Sequence, residues 1–434
     1  MARHSRNMID ELTILDWTLA GSLFLLFLLQ VYWYSRYLAA PTRKMRKSER
    51  EKDQLVIDPK KELPGVSVVL CAHNEGYNLS HYLQVLLTQD YPTYEVIVVD
   101  DGSQDNTHDV IELYKNRSQR LHTTFVPADA RVRSTKKLAL TLAAKSAQYD
   151  YLLLTDADCV PESDQWIREM MHCFGLSAGN QGWTIEGQKA GEGQPAPKDI
   201  VLGFGAYFYQ RGYVNRLVRF DTLFNGLHYL GAALCRHPYM GVGRNLAYRK
   251  SLFFQSGGFT RLMDSRAGDD DLFINHVATP TNTAVALNRN SYTWSLSKTT
   301  IRDWVQQKRR HLSVSPMYKA STKWRLLFEP LTRGLFYALV IAIAVCCFLP
   351  DVNAQLTNVD WQIAEWDIQL PLLLLATIVM FLLRWMLQVA ILNTSARRMG
   401  LHTFSMFSVL WFDLTLPLVN LWLLIIPSRN NNNW

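Results

Sequence analysis

The chain has 434 residues, 45 Lys and Arg against 38 Asp and Glu, a formal net charge of +7 and 48% hydrophobic residues. That length holds one sizeable domain and additional elements. The basic excess crowds beside apolar runs and no aromatic–basic module is visible, so it reads as membrane topology and contact with anionic membrane lipid, with no nucleic acid as partner.

Residues 17–37, 331–349, 370–392 and 404–426 are nearly uncharged runs, close to the roughly 20 residues that a hydrocarbon core requires, and they predict four transmembrane helices, one before and three after a polar middle. The first is too long, and too poor in small residues at its end, for a cleaved signal peptide. Arg43, Lys44, Arg46, Lys47, Arg50 and Lys52 follow the first run, and Lys323, Arg325 and Arg333 precede or open the second. Positive charge marks the cytoplasmic side, so the intervening segment is expected there, together with the loop holding Arg397 and Arg398. The loop 350–369, with Asp351, Asp360, Glu365 and Asp367 and no Lys or Arg, then faces outward. These runs divide the chain into a first segment with its span (1–40), a charged linker (41–64), a cytoplasmic domain (65–325), three spans (326–428) and a tail (429–434).

Short β-rich runs at 67–71, 95–99, 122–126 and 151–155 alternate with helical patterns at 79–89, 106–116 and 136–146. Such βαβα order predicts an α/β fold with a doubly wound, mostly parallel sheet. Residues 186–197, with three glycines and two prolines, predict a loop or insertion, and the asparagines at 430–433 a disordered tail. The six cysteines, Cys71, Cys159, Cys173, Cys235, Cys346 and Cys347, show no metal spacing and read as reduced packing residues.

Chemistry gathers where strands end. The first strand leads to Ala72-His73-Asn74-Glu75 and the second to Asp100-Asp101-Gly102-Ser103, carboxylates and amides able to accept from a base or ribose in the crevice of a parallel sheet. No glycine-rich dinucleotide turn is present, which argues against NAD, and no Walker loop. Asp156-Ala157-Asp158 follows the fourth strand; residues two apart on a strand share a side, a geometry suited to a hard divalent cation on a diphosphate. Gly268-Asp269-Asp270-Asp271 sets three carboxylates side by side, so one pKa should rise, as a general base requires. Lys136 opens Lys-Lys-Leu-Ala-Leu, Gly243-Arg244-Asn245 is a glycine turn, and Gln306-Gln307-Lys308-Arg309-Arg310 is a basic cluster able to grip phosphate or to lie on anionic lipid. The aromatic residues between 202 and 234 read as core or interfacial helix rather than a sugar platform.

In this order, over residues 66–311, the motifs resemble those of membrane glycosyltransferases of family 2, the GT-A type group that includes hyaluronan, chitin and poly-glucosamine synthases and ceramide glucosyltransferase. The resemblance implies a GT-A-like fold and an inverting, metal-dependent transfer from a nucleotide sugar, a UDP-sugar, to a polysaccharide or lipid acceptor. It implies that Ala72, Asn74, Glu75, Asp100, Asp101, Lys136 and Asp156 bind the donor, with Asp101 on the nucleobase. Asp158 with Asp156 would hold Mg²⁺ or Mn²⁺. Asp270 is favoured as base, with Asp269 as the alternative register. Gln306, Arg309 and Arg310 match the Gln-x-x-Arg-Trp signature, except that Arg310 stands where tryptophan is usual; Arg309 is then the diphosphate clamp, and the missing ring puts the acceptor's stacking platform in doubt. Arg244 and Asn245 would line the acceptor side. The resemblance also implies a multi-pass protein of a bacterial inner membrane. Three spans after the domain make a translocation channel in one chain less assured, which raises a homodimer or export partner. A nucleotide-sugar-binding membrane protein that regulates polysaccharide synthesis or export without catalysis is the alternative.

Two charges interrupt the apolar runs. Arg384 lies eight residues before residue 392 and Asp413 nine after residue 404, a matched depth of about 12–14 Å at 1.5 Å per residue. Unpaired intramembrane charges are costly, so the two are expected to pair between spans three and four.

Overall fold

The computed structural model describes residues 14–51, 63–127, 132, 134–175, 198–263, 265, 267–349, 358–363 and 366–425. The loop expected at 186–197, the second half of the linker and the asparagine tract lie outside the described residues.

In chain order, α1 (Ile14–Trp33) is followed by a π-helical turn at Tyr34–Leu38 and by α2 (Ala40–Glu51). An alternating stretch comes next: β1 (Val66–Ala72), α3 (Gly76–Leu87), β2 (Tyr94–Asp100), α4 (Thr107–Lys115), β3 (Leu121–Phe125), α5 (Thr135–Ser146) and β4 (Tyr151–Leu154). Shorter elements follow: β5 (Cys159–Pro161), α6 (Trp166–His172), β6 (Ile200–Leu202), β7 (Gly205–Tyr207), α7 (Tyr213–Leu234), β8 (Leu246–Arg249), α8 (Lys250–Gln255), α9 (Asp271–Val277), β9 (Thr283–Val285), β10 (Thr293–Ser295) and α10 (Ile301–Leu312). The chain closes with α11 (Ala320–Phe348), β11 (Asn358–Ile363), β12 (Trp366–Pro371), α12 (Leu372–Arg398) and α13 (Met406–Ile425).

These elements form two compact units, one within residues 37–319, 394–403 and 420–434, the other within 1–36, 320–393 and 404–419. The first unit is built on a seven-stranded sheet of order β3-β2-β1-β4-β8-β6-β9. β1 and β2 are runs of Val, Ile and Leu with Val66, Val68, Leu70, Val96 and Val98 fully buried, the composition of strands covered on both faces. Leu79, Leu83 and Leu86 of α3 and Trp166, Ile167 and Met170 of α6 join the same core. β1 pairs in parallel with β2 and β4, and β2 with β3, whereas β8 runs antiparallel to β4 and β6. The sheet is thus mixed but mostly parallel, and the carboxyl ends of β1, β2 and β4 open on one side, where such sheets bind ligands. A smaller sheet, β5-β10-β7, lies in the same unit.

The linker expected at 41–64 is helical through Glu51, and α2 packs on α7 within the α/β unit. Close approach explains Gly231 of α7: a Cβ there would lie 2.0 Å from the Tyr37 carbonyl oxygen.

The second unit holds α1, α11, α12 and most of α13, packed around Leu23, Phe336, Ile343 and Leu373. Among the described residues, four helices are long and apolar enough to cross a membrane. The second starts at Ala320, well before its apolar run, because its first turns are polar helix formers. The loop expected at 350–369 is corrected in part: β11 and β12 pair antiparallel, Asn358 opposite Pro371 and Ile363 opposite Trp366. Alternation in Val359, Trp361 and Ile363 carries that strand, a pattern that the acidic residues mask.

Candidate active site

The turns after β1 and β2 are tied to each other. Asn74 adopts a left-handed φ of 58°; its backbone N–H donates to Ser103 Oγ at 3.0 Å and its Oδ1 accepts from the Gln104 N–H at 2.7 Å. Glu75 N–H donates to Thr107 Oγ1 at 2.9 Å, Gly76 N–H to Asp105 Oδ2 at 3.1 Å, and the Glu75 carboxylate accepts from Asn78 at 2.6 Å. Asp100 is spent on the turn, its Oδ1 accepting the Ser103 N–H at 3.0 Å. Asp101 is different. It is 6% exposed, burial raises its carboxyl above the usual range against a hydrogen bond from Thr135, and its Oδ2 is buried with no hydrogen-bond partner among the described residues. A buried carboxylate oxygen left in that state calls for a donor. Ala72 is fully buried and supplies its carbonyl to the Asp101 N–H at 2.8 Å.

Asp156 and Asp158 come together through the turn between β4 and β5, not by strand alternation, since β4 ends at Leu154 and the Cys159 N–H closes back on the Asp156 carbonyl at 3.1 Å. Donor atoms of Asp156, Asp158 and Cys159 lie within 4.8 Å of one another. Lys136 Nζ sits 3.0 Å from Asp156 Oδ1 and 3.4 Å from Asp269 Oδ2, joining the two acidic clusters. Burial opposes the Asp156 charge, but Lys136, with Arg244 and Arg310, holds the carboxyl below its usual range. Burial and the Asp156 charge push Asp158 up. Two crowded carboxylates of opposed shift are an oxygen-rich set that a hard divalent cation fits. Cys159, whose thiol donates to Asp158 Oδ1 at 3.3 Å and is kept protonated by burial, is a partner of that set and not a thiolate ligand.

On the opposite side of Lys136, Gly268 has a φ of 92° and delivers the three aspartates to the start of α9. Each has its own partners. Asp269 faces Lys136; Asp270 caps the helix, Oδ1 accepting the Asp271 N–H at 2.7 Å and Oδ2 the Gly243 N–H at 2.8 Å. Burial and the Asp269 charge raise Asp270 to about 6. Asp271 points inward, accepting from the Leu272 N–H at 2.7 Å and from Tyr318 OH at 2.8 Å, and burial with the Asp270 charge raises it to about 7. Where three adjacent carboxylates lead one to expect a single raised carboxyl, the loop has two.

Arg244 leans on the Tyr207 ring, 4.3 Å from its centroid, and donates to Ser295 Oγ at 3.1 Å and the Gly205 carbonyl at 3.0 Å. Asn245 is corrected: fully buried, it donates to the Phe204 and Ser291 carbonyls and accepts from Trp166 Nε1, so its side chain staples the core and has nothing left for an acceptor. In α10, Lys308 forms a 2.6 Å ion pair with Asp221 over the buried Trp304, Gln307 reaches Tyr207 OH at 3.3 Å and Gln306 is exposed. Arg309 is half-buried, its Nε without a partner among the described residues, while Arg310 is exposed and its charge acts on Asp156. Trp304 is too buried to serve as a stacking platform. Sequence reasoning missed Lys137 and Tyr318, for which the only signal was the doubled lysine at the start of α5, and it read Tyr207, which carries the Arg244 guanidinium, as core or interfacial.

In the apolar unit, Arg384 Nη1 lies 2.9 Å from Asp413 Oδ2, and Arg333 Nη1 2.7 Å from Asp413 Oδ1. Glu329 pairs with Arg333 at 3.0 Å, so two acids balance two arginines. Arg333 is 6% exposed, which corrects its reading as a surface topology charge.

Residues 67–175 match Glycosyl transferase family 2. The poly-beta-1,6-N-acetyl-D-glucosamine synthase of Staphylococcus aureus (strain COL) is 32% identical over 146 residues, 32% of this chain and 33% of that protein. The protein of that name from Staphylococcus epidermidis is 33% identical over 110 residues, 25% and 26% of the two chains. The alignments thus cover between about a quarter and a third of the length of these curated relatives. Among solved structures, the mannosyltransferase PcManGT of Pyrobaculum calidifontis, in complex with GDP-Man and Mn²⁺, is 17% identical with a TM-score of 0.47, covering 86% of this chain and 99% of that one. Residues 1–349 of S. aureus TarS are 15% identical with a TM-score of 0.39, covering 67% and 77%.

Proposed function

We propose that this chain, which carries a family 2 glycosyltransferase domain, is a membrane-integrated inverting glycosyltransferase that moves a sugar from a UDP-linked donor to a polysaccharide or lipid acceptor at the cytoplasmic face. The observation that carries the reading is Lys136, which ion-pairs with Asp156 in one acidic cluster and Asp269 in the other. One wall then serves the nucleotide and the other the acceptor. Asp101, with its orphaned carboxylate oxygen, accepts from the nucleobase, and Glu75 and Asn74 frame the turn beneath it.

Asp158 and Asp156 would hold Mg²⁺ or Mn²⁺, which offsets charge on the departing diphosphate. Arg310 supplies a second positive charge on that side. Asp270 takes the proton of the acceptor hydroxyl as its oxygen attacks the anomeric carbon, the bond to the diphosphate breaks with its electron pair, and the configuration inverts. Each Asp270 oxygen accepts one backbone N–H, and a carboxylate oxygen has two lone pairs, so the base stays competent while held in place. Asp269 is the weaker candidate because Lys136 already neutralises it. The names of the matched relatives favour N-acetylglucosamine as sugar and a polysaccharide as acceptor. The basic exposed residues of α2, Arg43, Lys44, Arg46 and Lys47, favour the cytoplasmic side.

Incubating the purified protein with radiolabelled nucleotide sugars, with and without Mg²⁺ or Mn²⁺, and extracting lipid and polymer fractions separately tests this. Label in the polymer fraction only with UDP-N-acetylglucosamine is expected. Nucleotide binding without transfer to any acceptor would leave a regulator and overturn the enzyme.

A further inference from the structure

Next to Lys136 on the first turn of α5 is Lys137, a fully buried cation that faces the other way. Its ammonium donates to three backbone carbonyls, Leu262 at 2.8 Å, Ser265 at 2.6 Å and Ala267 at 2.7 Å. Three donors meet three acceptors, so backbone carbonyls of the described residues saturate the group. The three acceptors are close in sequence and meet at one ammonium, and Ser265 Oγ also donates to the Ala267 carbonyl at 2.6 Å. Gly268, with its left-handed φ, and then Asp269 and Asp270 follow immediately. A lysine with no free donor and no solvent is an expensive residue to bury for packing alone, since a lone buried ammonium costs several kcal/mol without compensation. What it secures is the path of the chain just ahead of the two carboxylates that the proposed transfer uses.

We propose that Lys137 is a positioning residue: its ammonium acts as an internal cation that ties together the Leu262, Ser265 and Ala267 carbonyls and so sets Asp269 against Lys136 and Asp270 against the Gly243 N–H. The inference rests on the glycosyltransferase reading for its catalytic consequence. Neighbouring lysines then divide the work. Lys136 bridges the carboxylates themselves, and Lys137 holds the backbone that presents them. The donor groups Asp101, Asp156 and Asp158 make no contact with Lys137 among the described hydrogen bonds and ion pairs, so nucleotide binding and transfer should separate.

The test compares the full-length wild type with K137M, which keeps the stem and removes the charge, and K137R, which restores donors for several carbonyls. Three readouts are taken: hydrogen exchange of peptides covering residues 260–272, binding of UDP with Mn²⁺ by calorimetry, and kcat and KM for transfer from UDP-N-acetylglucosamine. In K137M the loop peptides should exchange faster while peptides from β1 and β2 do not, UDP affinity should stay within about threefold, and kcat should fall about 100-fold, the size expected for a misplaced reacting group. K137R should recover part of both exchange protection and kcat. Unchanged exchange in K137M, or faster exchange with normal kcat, overturns the proposal, as does an equal loss of UDP binding. If K137M fails to fold, K137R decides: full loss of kcat with native loop exchange would also overturn it. A wild type that neither binds UDP nor transfers sugar refutes the enzyme reading instead, and the exchange data still decide whether Lys137 holds the loop.

Discussion

Asp413 is the hub to which Arg384 is bound: its Oδ2 receives Arg384 Nη1 at 2.9 Å, while its Oδ1 receives Arg333 at 2.7 Å and Gln388 at 2.7 Å. Tyr337 OH donates to the same carboxylate, and Arg384 continues to Tyr34 OH at 2.7 Å and Gln30 Oε1 at 3.2 Å. Residues from α1, α11, α12 and α13 thus share one buried polar network in the apolar unit.

Removing one partner of a buried pair strands the other, at a cost of about 3–5 kcal/mol. Asp413→Asn should therefore lower the thermal transition in detergent more than Arg384→Met, because it leaves two arginines facing Glu329 alone. The double variant should lose less than the sum of the single changes. Exchanging the two residues should recover little, since it would bring a third party, an arginine at 413, against Arg333. Strictly additive losses would mean that the two groups do not interact.

The two acidic clusters should fail in different ways. Asp158→Asn should weaken UDP binding in the presence of Mn²⁺ about tenfold or more, because a carboxylate of the oxygen set is gone. Asp270→Asn should bind UDP normally and lose transfer by about 100-fold or more, the usual reach of general base catalysis. Calorimetry beside initial rates separates them; normal turnover in Asp270→Asn with total loss in Asp269→Asn would move the base by one residue.

The first four strands and their helices could be read from sequence because β1, β2 and β4 are buried on both faces and leave apolar runs between turn residues. The strands β5, β6, β7, β9 and β10 could not, since three residues are too short for any period. Of the site, the aspartates drew notice by their order and spacing along the chain, because a single acidic residue after a strand is also an ordinary turn former, as Asp100 is when it accepts the Ser103 N–H. Asn245 misled because a core staple and a ligand-binding amide look alike in sequence, and only its three buried partners separate them. Arg309 and Arg310 are not ranked by sequence for a related reason: adjacent residues on a helix differ by about 100° in direction, and no pattern in a basic cluster says which one faces the crevice. Arg333 looked like a flanking charge because the apolar run begins beside it, whereas its partner Asp413 is 80 residues away.

The arginines give a third prediction. Arg310 is exposed and acts on Asp156, so Arg310→Ala should weaken UDP binding about tenfold, the scale of one charge-assisted contact. Arg309 is half-buried; Arg309→Ala should appear mainly as a lower thermal transition with donor affinity kept. The opposite pattern would return the clamp to Arg309.

The acid limb of the pH profile should belong to Asp270. Its carboxyl is raised to about 6, first by burial and then by the Asp269 charge beside it. A general base works only when deprotonated, so transfer should be full above that value and fall as pH drops through about 6. Asp269→Asn removes the like charge and leaves Lys136 nearer to unopposed, and both changes favour the ionised form of Asp270. Its rate–pH curve should therefore keep an acid limb displaced to lower pH, while UDP binding serves as the control for an intact nucleotide site. Initial rates from pH 4.5 to 8 in both proteins measure the displacement. A limb that moves upward, or one that stays in place, would show that Asp270 is not the titrating base.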